Sequence, residues 1–245
     1  MIRNDLHVHS VQSFCGFHTV LEIAQIAISK GVKLVNISDH GSGLGKLMNF
    51  GVITDKRRLP NPVTLPDGSS ITMLRGIEAN IMDVDGNTDI PEKFVPRFDL
   101  ISIGFHYCGL PEHGSEADNT RALVNVIKRY PIDLITHPCI STYPLDMPTI
   151  IELSKEYGFA LEINNTNLRV EKTNIDRLKQ MIELALDQGV TLVENSDGHT
   201  YTEIGENEKV EELLSDMGLN GDDFLVNRDD EKLQSFLDGR KKLRT

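Results

Sequence analysis

Three times in this sequence a helical stripe stops at a glycine and a β-type run begins at the next residue, at Gly31-Val32, Gly158-Phe159 and Gly189-Val190. Glycine enters the left-handed conformation that ends a helix without steric cost. The helices ahead of these stops are marked as well. Thr19 and Glu22 fit a capping box before the stripe Val20, Leu21, Ile23, Ala24 and Ala27. Thr173 with Asp176 repeats that signal before Ile175, Leu178, Ile182 and Ala185, and a further helix is expected from about Pro148 to Tyr157.

Seven β-type segments are expected: Arg3 to His9, Lys33 to Ser38, Thr72 to Glu78, Phe98 to Phe105, Ile132 to His137, Phe159 to Ile163 and Val190 to Ser196. Most carry near-continuous apolar runs, as in Leu100-Ile101-Ser102-Ile103, which is the pattern of parallel strands covered on both faces. Seven helix-linked strands in 245 residues favour a closed α/β barrel over an open sheet, with residues 1–245 read as one domain. Two regions break the rhythm. Residues 41–71, with the turn Pro66-Asp67-Gly68, read as an insertion around the barrel mouth, and Asp85-Gly86 marks another turn. From about residue 205 onward, 205–217 and 228–238 read as polar, peripheral helices, and Arg240-Lys241-Lys242-Leu243-Arg244 as a solvated basic tail.

The formal charge of −12 argues against a nucleic-acid partner, because such proteins carry basic surfaces that displace counterions from phosphate. An anionic substrate would need a local positive charge, which bound divalent cations supply. No apolar run approaches the ~18 residues of a membrane helix, and Met1 is not followed by a charged-then-apolar leader, so a soluble, cytoplasmic protein is expected. Cys15, Cys108 and Cys139 are odd in number and widely spaced, as suits reduced thiols. Oligomeric state is not readable.

The placement of the histidines carries the chemistry. In Asp5-Leu6-His7-Val8-His9, residues two apart on a strand share a face, so both imidazoles can grip one metal ion, with Asp5 beside them. His40 follows the second strand, Glu78 ends the third, His106 follows the fourth, His137 ends the fifth, Glu162 and Asn164 end the sixth, and Asp197 and His199 follow the seventh. In a (β/α) barrel these C-terminal strand ends converge on one face, where active sites are built. His7, His9, His40, Glu78, His106, His137, Asp197 and His199 are too many donors for one ion and suit two or three, with zinc, manganese or iron compatible. His113 lies off the pattern and reads as structural or solvated. Arg75, Arg169 and Lys56-Arg57-Arg58 are candidate substrate contacts whose structural reading is at least as strong.

The set resembles the PHP (polymerase and histidinol phosphatase) superfamily of metal-dependent phosphoesterases, in particular its YcdX-type phosphatase branch. The matching pieces are Asp5-Leu6-His7-Val8-His9-Ser10, Ser38-Asp39-His40-Gly41, Arg75-Gly76-Ile77-Glu78-Ala79-Asn80, Gly104-Phe105-His106, His137-Pro138, Glu162-Ile163-Asn164-Asn165 and Ser196-Asp197-Gly198-His199-Thr200, in the family's order. The resemblance implies a distorted (β/α)7 TIM-like barrel with a trinuclear metal centre at the C-terminal ends of the strands. It implies that His7, His9, Glu78 and Asp197 hold one ion, that Glu78 bridges to a second held by His106 and His137, and that His40 and His199 hold the third. In that branch the third ion has one more histidine after the first strand. Here the position is Cys15, and a histidine follows as His18; either is a candidate ligand, and a packed, non-ligating Cys15 is the alternative. Asp5 and Asp39 are candidates to orient imidazoles.

The expected reaction is hydrolysis of a small phosphate monoester by a metal-activated hydroxide, with no protein nucleophile; the general acid is not identifiable. Histidinol phosphatase, phosphodiesterase or exonuclease, deacetylase or amide hydrolase, and non-catalytic metal-binding protein are the alternatives on the same residues.

Overall fold

In the computed structural model, which describes residues 1–13, 15–44, 58 and 60–244, the apolar runs form parallel strands. These are β1 (Asn4–Val8), β2 (Leu34–Ile37), β4 (Ser70–Asn80), β5 (Leu100–Gly104), β6 (Leu134–Ile135), β7 (Ala160–Asn164) and β8 (Leu192–Asn195), hydrogen-bonded in chain order. A short β3 (Val63–Thr64) pairs antiparallel with β4. Part of the expected mouth insertion, residues 45–57 and 59, lies outside the described residues.

The first and last strands nearly close a seven-stranded barrel. Backbone contact is limited to the neighbourhood of Val8 and Gly198, where the His9 N–H donates to the Gly198 carbonyl at 2.9 Å. Lower down, side chains bridge the seam: the Leu6 N–H donates to Asn195 Oδ1 at 2.9 Å and the Ser196 N–H to Asp5 Oδ1 at 3.2 Å. The fold is therefore a distorted (β/α)7 barrel, as expected.

The helices are α1 (Val20–Ser29), α2 (Glu116–Arg129), α3 (Met147–Tyr157), the one-turn α4 (Asn165–Arg169), α5 (Ile175–Gln188), α6 (Glu208–Asp216) and α7 (Asp230–Lys241). The Thr19/Glu22 capping box forms, and Gly31, Gly158 and Gly189 all adopt positive φ after their helices. The α5 cap is Asn174, whose side chain accepts from the Arg177 N–H, one residue after the expected Thr173. No described helix is long and apolar enough to cross a membrane.

The barrel interior is graded. Its lower end is apolar, with Leu6, Leu34, Leu100, Leu134, Ala160 and Val193 in one cluster. Above it come Asn36, Ser102 and Asn195, fully buried, and then the acids and imidazoles of the mouth. The lower end is closed by α7, whose Leu233 joins that cluster with Phe236 and Leu237 packed against it. The expected peripheral role is thus corrected for α7. The basic tail is corrected too: Arg240 and Arg244 are buried, and both guanidiniums converge on the buried Asp133 carboxylate below β6. Arg240 also donates to the Tyr157 carbonyl and Arg244 to the Asp99 carbonyl, which satisfies backbone groups at the strand entrances.

Candidate metal centre

A bulge in β1 sets the whole site. The register between β1 and β2 shifts between Asp5 and Val8. In a regular strand Leu6 and Val8 would share a face, yet Leu6 joins the barrel interior and Val8 the outer cluster under α1. His7 and His9 consequently both point into the mouth, with ring nitrogens Nε2 only 3.0 Å apart. Asp5 is turned off that face and does not touch an imidazole. It accepts from the Ser196 hydroxyl at 2.5 Å and the Gly205 N–H at 3.0 Å, so its role is to hold the barrel seam.

The orienting groups are Glu162 and Ser13. Glu162 Oε1 lies 2.8 Å from His7 Nδ1 and accepts from Asn195 at 2.8 Å, while its Oε2 accepts from the His137 N–H at 2.7 Å and Asn164 at 2.9 Å. All four lone-pair positions face donors, so His7 carries its proton on Nδ1. The Ser13 hydroxyl donates to Asp39 Oδ1 at 2.9 Å and accepts from the His40 N–H at 2.9 Å, leaving an acceptor for His9 Nδ1 at 3.1 Å. Asp39 is thus linked to the His9 imidazole only through the Ser13 hydroxyl. Both histidines thus turn Nε2, whose lone pair a proton or a metal cation would occupy, into the mouth.

Those lone pairs meet carboxylates. Glu78 Oε2 is 3.3 Å from His7 Nε2 and 3.5 Å from His9 Nε2, and Asp197 Oδ1 is 3.5 and 3.2 Å from the same atoms. Glu78 Oε1 also reaches His137 Nε2 at 2.9 Å and His106 Nε2 at 3.5 Å, and its Oε2 reaches His40 Nδ1 at 3.0 Å. Glu78 sits at the middle of the array. Its Oε2, with His40 Nδ1, is buried and makes no hydrogen bond, as expected of atoms shaped to meet a cation. Glu78, His7 and His9 form one group of donors within 4.8 Å of one another, and His40, Glu78 and His106 form a second. His9, Cys15, His40 and His199 form a third. His18 belongs to none of them; its ring stands edge-on to Tyr201 at 6.3 Å.

The backbone is strained where the donors are delivered. His137 and Asp197 take positive φ, 34° and 53°, which costs a residue with a Cβ about 1–3 kcal/mol. Gly104 leaves room for the neighbouring imidazoles, since a Cβ there would stand 2.9 Å from His137 and 3.0 Å from His106.

Electrostatics follow from the crowding. Burial, and then the neighbouring His40, push His9 down to about 3. Burial also opposes charge on His7, but Glu162, Asp197 and Glu78 outweigh it and hold His7 well above its ordinary value. Glu78 and Asp197, which burial alone would raise, are held well below the carboxylate range by imidazoles, His7 foremost. Burial raises the Cys15 thiol, yet His199 and His40 bring it down to about 7. Protons and a metal cation would compete for the same lone pairs, so cation binding releases protons.

The remaining sequence candidates fall elsewhere. Arg75 is paired with Asp99 at 2.6 Å and Arg169 with Glu203, Arg58 is exposed, and Lys56 and Arg57 lie outside the described residues. Cys139 packs in the core, Cys108 is half-buried, and His113 is exposed. A larger groove, about 820 Å³, lies far from the donors and is lined by ion-paired groups such as Arg3, Asp230 and Arg228. The cleft above the donors, about 290 Å³, includes a residue the motifs do not point to, Lys172. No motif of the sequence marks it; it follows Glu171, which takes a positive φ of 56°.

A protein of Aeromonas hydrophila, named a probable phosphatase, is 33% identical over 237 residues, spanning 96% of this chain and 94% of that one. The chain belongs to this family of phosphatases. A probable phosphatase of Caldanaerobacter subterraneus is 30% identical over 97% of the chain and 92% of its own length. No family model matches. Among solved structures, the histidinol phosphate phosphatase of Lactococcus lactis, complexed with zinc, L-histidinol and phosphate, superposes with a TM-score of 0.56 at 15% identity. It covers 89% of this chain and 94% of that one, and the phosphatase family thus shares its barrel.

Proposed function

We propose that this phosphatase hydrolyses a small phosphate monoester at a centre of two or three divalent ions, zinc by preference, as a YcdX-type member of the PHP superfamily. His7, His9, Glu78 and Asp197 would hold one ion, Glu78, His106 and His137 a second, and His40, His199 and Cys15 a third. The observation that carries the proposal is the convergence of His7 Nε2, His9 Nε2, Glu78 Oε2 and Asp197 Oδ1, with the two imidazole protons engaged by Glu162 and Ser13 on the far sides. Such an array of lone pairs is self-repelling unless a cation or proton sits among them.

When bound, divalent ions act as Lewis acids on phosphoryl oxygens and lower the pKa of water toward ~7. The chain's own groups hold and orient. Glu162 and Ser13 fix the imidazole tautomers, and Phe105, Tyr107 and Ile140 line the cleft on which the organic half of the ester would rest. The free thiols of Cys15, Cys108 and Cys139 suit a cytoplasmic setting, and residues 1–245 act as one barrel with α7 as its plug.

Protein loaded with zinc or manganese is expected to turn over para-nitrophenyl phosphate or members of a phosphate-ester panel, with the rate lost on chelation and in Glu78→Ala. Equal rates in the parent, the chelated protein and Glu78→Ala would overturn the proposal. Faster turnover of a diester than of its monoester would replace the monoester by a diester substrate.

A further inference from the structure

The cleft above the donors is lined by the apolar Leu44, Phe105, Tyr107 and Ile140 together with Asn167 and Lys172. Lys172 is the only lysine or arginine among the described residues that line it. At about 290 Å³ the cleft stands at the small end of ligand pockets.

The backbone of Lys172 is held on both sides. Its N–H donates to the Asn167 carbonyl at 2.9 Å, and its carbonyl accepts from the Ser141 N–H at 2.8 Å, beside the antiparallel bridge between Ile140 and Thr173. The preceding Glu171 adopts a left-handed φ of 56°, a conformation that costs a non-glycine residue and persists only where the surroundings enforce it. Lys172 is exposed, and its ammonium has no ion pair among the described residues of a chain whose net charge is −12. An anchored backbone with an unengaged cation over a site is the arrangement of a ligand contact.

We infer that Lys172 is a specificity-determining residue, and that the substrate is a compact phosphate monoester bearing a second anionic group, such as a carboxylate, in its organic half. The inference rests on the phosphate reading of the centre above. It places the phosphate over the donors and the second anion at Lys172, with Asn167 beside it. An amino-alcohol phosphate, whose ammonium would face Lys172, is disfavoured by the same geometry.

Phosphonates test this without requiring turnover. Zinc-loaded protein is titrated by calorimetry with phosphonopropionate, propylphosphonate and aminoethylphosphonate, and the series is repeated with Lys172→Ala, Lys172→Glu and Lys172→Arg. The parent is expected to prefer phosphonopropionate to propylphosphonate by about fivefold, the scale of one partly exposed ion pair, and to bind aminoethylphosphonate most weakly. Lys172→Ala should erase the preference, Lys172→Glu should invert it, and Lys172→Arg should keep it. These ratios would not move if Lys172 were merely structural. A parent that binds all three alike, or a Lys172→Ala protein that still prefers the carboxylate, overturns the inference and leaves the phosphate reading intact. A parent that binds none of them overturns both.

Discussion

The carboxylate of Glu162 offers the sharpest perturbation, because Glu162→Gln changes one atom without changing shape. Glu162 accepts four hydrogen bonds, from His7, Asn195, the His137 backbone and Asn164. An amide must turn its NH2 toward one of the two pairs. If it faces His7 and Asn195, His7 must accept at Nδ1 and move its proton to Nε2, which removes the lone pair aimed at Glu78 and Asp197. If it faces His137 and Asn164, two buried donors lose their acceptor. Each unsatisfied group costs about 1–3 kcal/mol, so the substitution should cost about 2–6 kcal/mol in the second orientation. In the first, metal affinity should fall about 10–100-fold, the usual effect of losing a group that orients a ligating imidazole. Urea unfolding reads the stability and competition against a chromophoric chelator reads the affinity. A Glu162→Gln protein with the parent's stability and the parent's zinc affinity would refute the tautomer argument and, with it, His7 Nε2 as a ligand.

Three further outcomes are expected. Arg240→Ala strips the buried Asp133 of one of its two guanidiniums and should destabilise the protein by about 3 kcal/mol in urea, with the metal centre untouched. Burial raises Asp99, but hydrogen bonds from Arg75 outweigh it and hold the carboxyl below its ordinary 3.8. The pair therefore contributes stability above about pH 4 that is lost as pH falls through the lower folded value, and Asp99→Asn should flatten the acid limb of urea midpoint against pH. Cobalt-loaded parent should show a thiolate-to-metal charge-transfer band in the near ultraviolet that disappears in Cys15→Ser; a band unchanged in Cys15→Ser would remove Cys15 from the ligand set.

The parts of the fold that could be read from sequence are those whose cause is local. Strand runs such as Leu100–Gly104 and the stops at Gly31, Gly158 and Gly189 depend on neighbours in the chain, and the structure shows them at or within a few residues of their expected places. The convergence of the eight candidate residues was legible for a related reason: each lies at or just after the end of a strand, and a parallel barrel brings those ends together whatever the loops do. What stayed hidden depends on partners far away in sequence. The Arg240 and Arg244 pairing with Asp133 spans more than a hundred residues, so a buried clamp looked like a solvated tail. The β1 bulge moved Asp5 off the imidazole face, which strict alternation does not anticipate. Helix α2 buries Asn119 and Thr120 as well as apolar residues, which blurs its stripe.

The central claim is that the converging imidazoles and carboxylates exist to hold cations for phosphate-ester hydrolysis. Its most direct test is to titrate zinc or manganese into chelator-stripped protein while following bound metal and phosphate release together. The account predicts no release without metal, and a rate that climbs only as two or more ions bind. Release that is already maximal in stripped protein, or that ignores bound metal throughout the titration, would contradict it.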